Sequence, residues 1–433
     1  MVTSKILAER GVRFDCFELG SDIGGNWRYE NDNQRSAVYA SLHIDTSKDR
    51  MAFSDFPMPR HWPPYLHHSQ VLEYFERYAA KFELKDLITF RHEVVSVEGR
   101  GDAWTVAVRA LDEGPAIERS YRAVVVANGH HWSENRPDFP GEFTGKELHS
   151  HAYRVPDKFH GRRVVVVGIG NSAADISCEL SWHAAAVTLS TRRSAHIVPR
   201  YLFGQPADKF TSPMVSRLPI GLQRKAYRAL IRLARGRQSR YGLPPPDHEL
   251  LEAHPTLSQD LLQLVRSGEI VVKPNIERLD GQTIWFEDGS SIDADVVIYA
   301  TGYRVDFPFI PMEVLVAKDN VLPLYRKVVH PDLHGLYFVG LIQPLGATMP
   351  LAEQQAEWVS RLIEGAPLPS PHDMARSIEE DQRELEARYV PSKRHTLQVD
   401  FFPYKQLMMA EVTEAENALA AGEVSHSAEE VDG

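Results

Sequence analysis

The segment FTGKELHSHAY, residues 143–153, is followed after a short basic bridge by VVVVGIGNSAAD, residues 164–175, and this stretch decides the fold. Four valines lead into the pattern Gly-x-Gly-x-x-Ala, and small, helix-compatible residues follow. This order is typical of a strand, a tight phosphate-binding turn and a helix, and a further apolar run at 186–190 supplies the next strand. We expect Asn171 and Ser172 to donate side-chain hydrogen bonds to phosphate, beside the backbone N–H groups of the helix start. The predicted residues of this dinucleotide site are Gly168, Gly170, Asn171, Ser172 and Ala173.

The residues after that next strand predict which nicotinamide cofactor binds. Where an NAD site places Asp or Glu, this chain has Ser190-Thr191-Arg192-Arg193. A carboxylate binds ribose hydroxyls and repels a 2′-phosphate, whereas paired arginines form charge-assisted hydrogen bonds to that phosphate. Arg192 and Arg193 therefore predict NADPH, although two surface arginines after a strand are also common without a ligand.

The N-terminal region has the pattern of a second dinucleotide fold that begins part-way through. A short helix containing Ile6 and Leu7 precedes a predicted strand at 13–17, and Glu18 then has the position of a carboxylate that accepts ribose hydroxyls. The first strand and its glycine turn would precede Met1. We interpret this as a start codon assigned too late rather than a natural truncation, which would bind FAD poorly.

Apolar strands that end in glycine recur along the chain and define its architecture. Residues 123–129 and 295–302 both close with Ala-x-Gly, and 336–340 is a further apolar run ending in Gly. Such runs predict parallel strands buried on both faces, with room for a cofactor at the glycine. The predicted fold is α/β with two Rossmann-like dinucleotide-binding domains, the NADPH domain being inserted into the FAD domain.

Composition limits the other classes of function. The net charge of −11 and the pI near 6.0 argue against a general nucleic-acid binder. Cys16 and Cys178 form no CxxC pair and no metal-ligand spacing, which disfavours disulfide reductase chemistry and indicates a reducing compartment. Without a long apolar run or a signal peptide, a soluble cytoplasmic protein is expected.

Two segments are expected to be peripheral. Residues 201–265 are predicted to form a helical insertion with a basic helix face, which is either solvated or docks to an anionic surface or acidic partner; the arginines of that face are Arg224, Arg228, Arg232 and Arg235. The acidic segment 409–433 is predicted to be a disordered tail.

Taken together, these motifs resemble the flavin-containing monooxygenases, a family that borders on the Baeyer–Villiger monooxygenases. The linker fingerprint reads Phe143-x-Gly145-x-x-x-His149-x-x-x-Tyr153, and Tyr153 is more similar to the heteroatom-oxidising group, because Trp is frequent there in the Baeyer–Villiger group. Further matches are GGNW at 24–27, MAFSDFP at 51–57 and ATGY at 300–303. The resemblance covers about residues 1–405.

The resemblance implies an FAD domain made of 1–150 and 301–408, with NADPH bound by 155–300. It implies that reduced flavin takes up O2 as a C4a-hydroperoxide, which oxygenates nitrogen or sulfur of a small soft nucleophile. His149 would couple cofactor binding to domain geometry rather than act in acid–base catalysis. The implied FAD residues are Glu18, Gly24, Gly25, Asn26, Trp27, Gly129 and Gly340, and the NADPH set gains Thr301 and Gly302.

Asp45 departs from the family pattern, which has Asn at this position near the oxygenating site. An ionised carboxylate cannot donate a hydrogen bond, so the efficiency of oxygenation is in question. Ketone oxygenation and an uncoupled NADPH oxidase therefore stay open. The missing first glycine turn leaves a third alternative open, a non-catalytic NADPH-binding remnant that has lost flavin. The substrate and the oligomeric state also stay open, with a homo-oligomer among the options.

Overall fold

The computed structural model describes residues 1–101, 103–312, 314–315, 317, 320–389 and 396–422. The helices are α1 Val2–Glu9, α2 Lys48–Met51, α3 His68–Lys81, α4 Asn171–Leu180, α5 Pro213–Ser216, α6 Ile220–Arg235, α7 Leu261–Ser267, α8 Met349–Ile363, α9 Pro371–Arg388 and α10 Phe401–Ala420. Among the described residues, every helix is too short or too polar to span a lipid bilayer.

The strands follow in chain order. They are β1 His92–Arg100, β2 Ala103–Ala110, β3 Glu113–Tyr121, β4 Val124–Val126, β5 Ser133–Glu134, β6 Gly141–Phe143, β7 Lys146–His149, β8 Arg163–Val167, β9 Ala186–Ser190, β10 Ile197–Val198 and β11 Tyr201–Leu202. The remainder are β12 Gln205–Pro206, β13 Thr256–Leu257, β14 Ile270–Lys273, β15 Ile276–Gly281, β16 Thr283–Phe286, β17 Ser291–Asp293, β18 Val296–Tyr299, β19 Tyr303–Arg304, β20 Leu336–Phe338, β21 Gln343–Leu345 and β22 Gln398–Asp400.

The valine run forms the centre of a parallel sheet, in the order β14-β9-β8-β18-β7. Successive side chains of a strand point to opposite faces, and here both faces are covered. Val164 and Val166 pack into one apolar cluster, while Val165 and Val167 pack into another. The continuous apolar run is thus explained by burial on both sides, and the dinucleotide-binding fold class is confirmed.

A second parallel pair carries the other predicted glycine ends. Strand β4 pairs with β20, with Val126 opposite Phe338. Gly129 and Gly340 follow these neighbouring strands and have φ values of +71° and +79°. Because the carboxyl ends of parallel strands meet at one edge, the two glycines share one end of this sheet.

The predicted strand at 13–17 is wrong in extent. Phe17 makes only an isolated parallel bridge with Thr89. Backbone hydrogen bonds join this segment to Thr89 through Cys16 and Glu18. Within the part of the chain that the structure describes, residues 13–15 have no hydrogen-bonded neighbouring strand. Glu18 nevertheless follows the bridge, as expected.

The acidic segment 409–433 is not a disordered tail over its described part. Residues 409–420 continue α10, which packs on α8 and buries Met408 and Ala415. Two of its carboxylates are paired: Glu411 with Arg326 at 2.7 Å and Glu416 with Arg361 at 2.6 Å. Residues 423–433 lie outside the described part of the chain. The insertion 201–265 also differs from expectation, because short strands β11, β12 and β13 accompany its helices.

Candidate cofactor and active site

The glycine turn after β8 packs directly against the end of β18. Gly168 has a φ of +128°, and a Cβ atom there would lie 2.4 Å from the carbonyl oxygen of Ala300. Ala173 is fully buried on α4 behind the turn, and Ser172 lies partly exposed beside it. Only glycine permits this approach, which leaves the N-terminus of α4 facing the carboxyl end of the sheet, as in a phosphate-binding turn.

A basic pocket of about 380 Å³ lies at the end of β9. Arg192 and Arg193 line it together with Lys273, which ends β14 directly opposite Ser190. The guanidinium of Arg193 lies 3.5 Å from the carboxylate of Asp247, a pair that is exposed on both sides. Three cations at one mouth fit a phosphate monoester, so the donor set suits the 2′-phosphate of NADPH. Lys273 carried no sequence signal, because its place depends on strand pairing.

Asn171 differs from the sequence expectation. Its Nδ2 donates to Asp45 Oδ2 at 2.6 Å, and its Oδ1 accepts from the backbone N–H of Leu257 at 2.9 Å. The side-chain amide is therefore used within the protein, across segments 126 residues apart, rather than directed at a phosphate. The backbone N–H groups at the start of α4 and the hydroxyl of Ser172 remain as candidate phosphate donors in this turn.

Asp45 belongs to a polar cluster that joins the N-terminal region to the inserted one. Arg200 Nη2 lies 3.4 Å from Asp45 Oδ1 and also 3.4 Å from the carboxylate of Asp175. The hydroxyl of Tyr39 donates to Asp175 Oδ2 at 2.8 Å. We call these residues the interdomain cluster: Tyr39, Asp45, Asn171, Asp175 and Arg200.

Two carboxylates share one guanidinium in the interdomain cluster, and this sets their titration. Burial, followed by the negative charge of Asp175, raises the pKa of Asp45 to about 7. Burial also raises the pKa of Asp175. Both acids keep less than a third of their side-chain surface accessible, at 28% and 19%. Since like charges in one site disfavour double ionisation, the pair holds a proton near neutral pH.

Gly129 and Gly340, two of the residues implied for FAD, lie at the edge where β4 and β20 end. A Cβ atom on either glycine would meet no atom within 4 Å, so this edge has open space. The backbone N–H of Gly340 is taken by Gln355 Oε1 at 2.8 Å. Both ring nitrogens of His130, next to Gly129, are buried without a partner among the described residues, as a missing polar ligand would leave them.

The N-terminal part of this set has turn geometry. Gly24 and Gly25 have φ values of +115° and +50°, and Gly25–Trp27 forms a single 3₁₀ turn. Asn26 Oδ1 accepts from the backbone of Ala37 at 2.9 Å, and Trp27 packs against the core. Glu18 Oε1 accepts from Gly20 N–H at 2.7 Å, so its carboxylate is held in place directly after the isolated bridge at Phe17. A carboxylate and glycine-rich turns fit ribose and flavin.

His149 connects β7 to the glycine end of β18. Its Nε2 lies 3.0 Å from the carbonyl of Gly302, and its Nδ1 accepts from the backbone of His151 at 3.1 Å. The ring is therefore neutral, with the proton on Nε2, and burial lowers the pKa of His149 to about 4. Asn135 holds the segment after β18 in place. Its side-chain Nδ2 donates to the carbonyl of Thr301, and its backbone N–H donates to the carbonyl of Gly302.

Comparison with known proteins identifies the family to which this chain belongs. The family model described as flavin-binding monooxygenase-like matches residues 2–420. The chain is a member of the flavin-containing monooxygenase family. It is 40% identical to human Flavin-containing monooxygenase 5 over 417 residues, which span 92% of this chain and 78% of that protein. It is 36% identical to the rat N-oxide-forming dimethylaniline monooxygenase 2, over 95% of this chain and 80% of that one.

A solved structure with the same fold is the S-allyl-L-cysteine S-oxygenase of Allium sativum, with a TM-score of 0.71 and 26% identity over 95% of this chain and 85% of that one. As a flavin-containing monooxygenase, the chain is an enzyme that uses FAD, NADPH and O2. The reading as a non-catalytic remnant is therefore not retained.

We expect His149→Gln to lower the stability of the enzyme at pH 7 by about 1–2 kcal/mol, because the bond to Gly302 is weakened in a buried site. A depressed histidine pKa stabilises the fold above the unfolded value of 6.5, and this contribution is lost as pH falls towards 4. The wild-type advantage in urea denaturation should thus shrink by about 1–2 kcal/mol between pH 7 and pH 5. Exposed His61→Gln is the control; an advantage independent of pH would contradict this assignment.

Proposed function

We propose that this enzyme oxygenates nitrogen or sulfur in small soft nucleophiles. The observation that carries the proposal is Asp45, whose pKa near 7 lets it hold a proton at the domain boundary. A protonated carboxyl group donates a hydrogen bond, as the family's Asn does, whereas a carboxylate does not. Relatives named for N-oxide formation and for S-oxygenation add support, since both oxidise a heteroatom.

We further infer a division of labour between the residues. When bound, FAD would supply the redox chemistry, namely reduction by NADPH and reaction of the reduced flavin with O2. Arg192, Arg193 and Lys273 hold the NADPH 2′-phosphate, while His149 fixes the glycine end of β18 between the two domains. The interdomain cluster supplies a proton-bearing group and closes the boundary against water. The proposed domains are 1–150 with 301–408 for FAD and 155–300 for NADPH.

Stoichiometry tests the proposal. The purified enzyme, saturated with FAD, is given NADPH and either N,N-dimethylaniline or methyl p-tolyl sulfide, and product is compared with NADPH consumed and with hydrogen peroxide released. We expect N-oxide or sulfoxide to account for most of the NADPH consumed with at least one substrate. Peroxide in place of product with every amine and sulfide would instead identify an uncoupled oxidase.

Ketone oxygenation is a second candidate, and one observation favours it. Asp45 and Arg200 place an acid and a guanidinium together at the domain boundary, 3.4 Å apart. A guanidinium can stabilise developing negative charge on oxygen during addition to a carbonyl. Cyclohexanone in the same assay separates the candidates: lactone formation at a higher kcat/KM than sulfoxide or N-oxide formation would select the ketone activity.

Asp45→Asn should change the pH dependence of coupling. Deprotonation of Asp45 through its pKa of about 7 removes the donated hydrogen bond, so product per NADPH should fall as pH rises from about 6 to about 8. Asn donates at every pH, so the variant should keep its coupling across that range. The yield of hydrogen peroxide per NADPH consumed measures the loss of coupling directly. A wild-type coupling ratio that stays constant with pH would show that the proton on Asp45 is not used.

A further inference from the structure

A buried chain of hydrogen bonds connects the glycine end of β20 to helix α10. The backbone N–H of Gly340 donates to Gln355 Oε1 at 2.8 Å, and Gln355 Nε2 donates to the hydroxyl of Tyr404 at 2.7 Å. The Tyr404 hydroxyl donates in turn to the backbone carbonyl of Arg326 at 2.7 Å. Gln355 is 0% exposed and Tyr404 is 6% exposed. The proposed function uses neither Tyr404 nor Arg326, so it does not account for this chain of bonds.

The chain of bonds closes into a ring at β20. Arg326 belongs to a tight turn in which the carbonyl of Val328 accepts from the backbone N–H of Phe338 at 2.9 Å. Phe338 ends β20 and lies two residues before Gly340. The path through α8 and α10 therefore returns to the strand from which it starts. A buried ring of hydrogen bonds restricts each member to one orientation, because turning any group breaks two bonds.

Helix α10 is docked on the same part of the protein by further contacts. Strand β22 leads directly into α10 and pairs with β21, which begins three residues after Gly340. The Glu411 carboxylate of α10 accepts from Arg326 Nε at 2.7 Å. Met408, one turn after Tyr404, is fully buried. The position of Tyr404 is therefore set by the docking of α10 as a whole.

Gly340 is held from its buried side and is open on the other. Its N–H is directed at Gln355 on α8, whereas a Cβ atom would meet no atom of the described residues within 4 Å. Its φ is +79°, and glycine populates positive and negative φ about equally. The bond to Gln355 therefore helps to select the backbone orientation at this edge of the sheet.

We propose that Tyr404 is a positioning residue for FAD: through Gln355 it fixes the backbone of Gly340 in the orientation that receives the cofactor. The inference rests on the proposed placement of FAD at the edge formed by Gly129 and Gly340. Phenylalanine at position 404 keeps the ring but removes the hydroxyl that joins Gln355 to the Arg326 carbonyl. The freed amide then loses its fixed orientation, and with it the bond that orients Gly340. Helix α10 thereby controls how tightly FAD is held, although none of the implied FAD residues belongs to it.

The test is the retention of FAD by the loaded, full-length enzyme. The enzyme is diluted in series, and the fluorescence of the released FAD gives its Kd. We expect Tyr404→Phe to raise this Kd at least about fivefold, and Gln355→Met to raise it at least as much. Because both residues act through one chain of bonds, the double variant should bind FAD about as weakly as Gln355→Met alone. Binding of adenosine 2′,5′-bisphosphate to the NADPH pocket should not change.

A matched tyrosine separates positioning from a general loss of stability. Tyr74 is fully buried in the same apolar cluster, and its hydroxyl also accepts from a backbone N–H, of Phe53 at 2.9 Å, and donates to a carbonyl, of Phe56 at 2.6 Å. Tyr74→Phe should lower stability in urea about as much as Tyr404→Phe but leave the Kd for FAD unchanged. An equal rise in Kd for both variants, or additive effects in the double variant, would overturn the positioning role of Tyr404.

A glycine substitution separates this inference from the placement of FAD. Gly340→Asn puts a side chain into the open space at a φ that asparagine tolerates, and it should raise the Kd for FAD. Gly289→Asn is the control, since Gly289 has a φ of +78° and equal space in a turn of the inserted domain. A raised Kd in Gly340→Asn with a normal Kd in Tyr404→Phe would overturn the role of Tyr404 alone. An unchanged Kd in Gly340→Asn would overturn the placement of FAD and the inference with it.

Discussion

Replacing Arg200 by methionine should destabilise the enzyme by about 3–5 kcal/mol near pH 8, because two largely buried carboxylates would lose the cation that they share. Methionine retains the length and apolar volume of the side chain, so the loss reports charge rather than a cavity. A raised carboxyl pKa costs stability above that pKa, and the cost disappears as the acid takes up a proton at lower pH. The difference from the wild type should therefore be largest near pH 8 and smaller near pH 5.

A second substitution makes this prediction specific to Asp45. In the variant Arg200→Met with Asp45→Asn, one of the two buried charges is removed, and we expect at least about half of the lost stability to return. Arg163→Met is the matched control, because Arg163 also lies near two carboxylates, at 3.5 Å from Asp293 and 2.8 Å from Asp295, but its side chain is 40% exposed. Arg163→Met should therefore lower the stability of the enzyme much less than Arg200→Met. Equal losses at both arginines, or no recovery in the double variant, would contradict the shared-cation model.

The interdomain cluster also explains why the acid is tolerated. A lone buried carboxylate at position 45 would be costly, but Asn171 donates to it and Arg200 lies close by. Asp175 in turn receives the hydroxyl of Tyr39. Each of these three contacts joins segments more than 100 residues apart, so the cluster depends on tertiary structure and not on any local motif.

The elements that the sequence could predict are those whose signal is local. The valine run, the glycine turn and the helix after it are specified by consecutive residues, because both faces of β8 are buried and the turn needs glycine at Gly168. The position of Arg192 and Arg193 after β9 follows from the same short unit. His149 was placed at the domain hinge from the family fingerprint, and in the structure it contacts Gly302 as a neutral ring.

Features that depend on distant partners could not be predicted. Arg200 has no local motif, and its position near Asp45 requires a contact across 155 residues. The acidic composition of residues 409–433 predicted a disordered tail, since the pairing of Glu411 with Arg326 and of Glu416 with Arg361 is not visible in sequence. The isolated bridge at Phe17, where a strand over 13–17 was predicted, shows the same limit, because strand formation depends on neighbouring segments.

Substituting both Arg192 and Arg193 by alanine should raise the KM for NADPH at least about 100-fold while leaving the KM for NADH nearly unchanged. Each arginine is expected to form charge-assisted hydrogen bonds to the 2′-phosphate, worth about 1.5–3 kcal/mol apiece. NADH lacks that phosphate, so the double substitution removes none of its hydrogen bonds and leaves its KM nearly unchanged. Binding of adenosine 2′,5′-bisphosphate, followed by calorimetry, gives the same comparison without turnover, and exposed Arg60→Ala is the control.

Asp247 sharpens this test, because it lies 3.5 Å from Arg193 in the same pocket and competes with an incoming phosphate for that cation. Asp247→Asn should therefore tighten binding of adenosine 2′,5′-bisphosphate, the reverse of the arginine variants, and should do so less at high salt. Lys273→Ala should weaken binding by a smaller factor than either arginine, because ammonium cannot form a bidentate contact. If NADPH and NADH suffer equally in the double arginine variant, these residues support the fold of the pocket and do not recognise the phosphate.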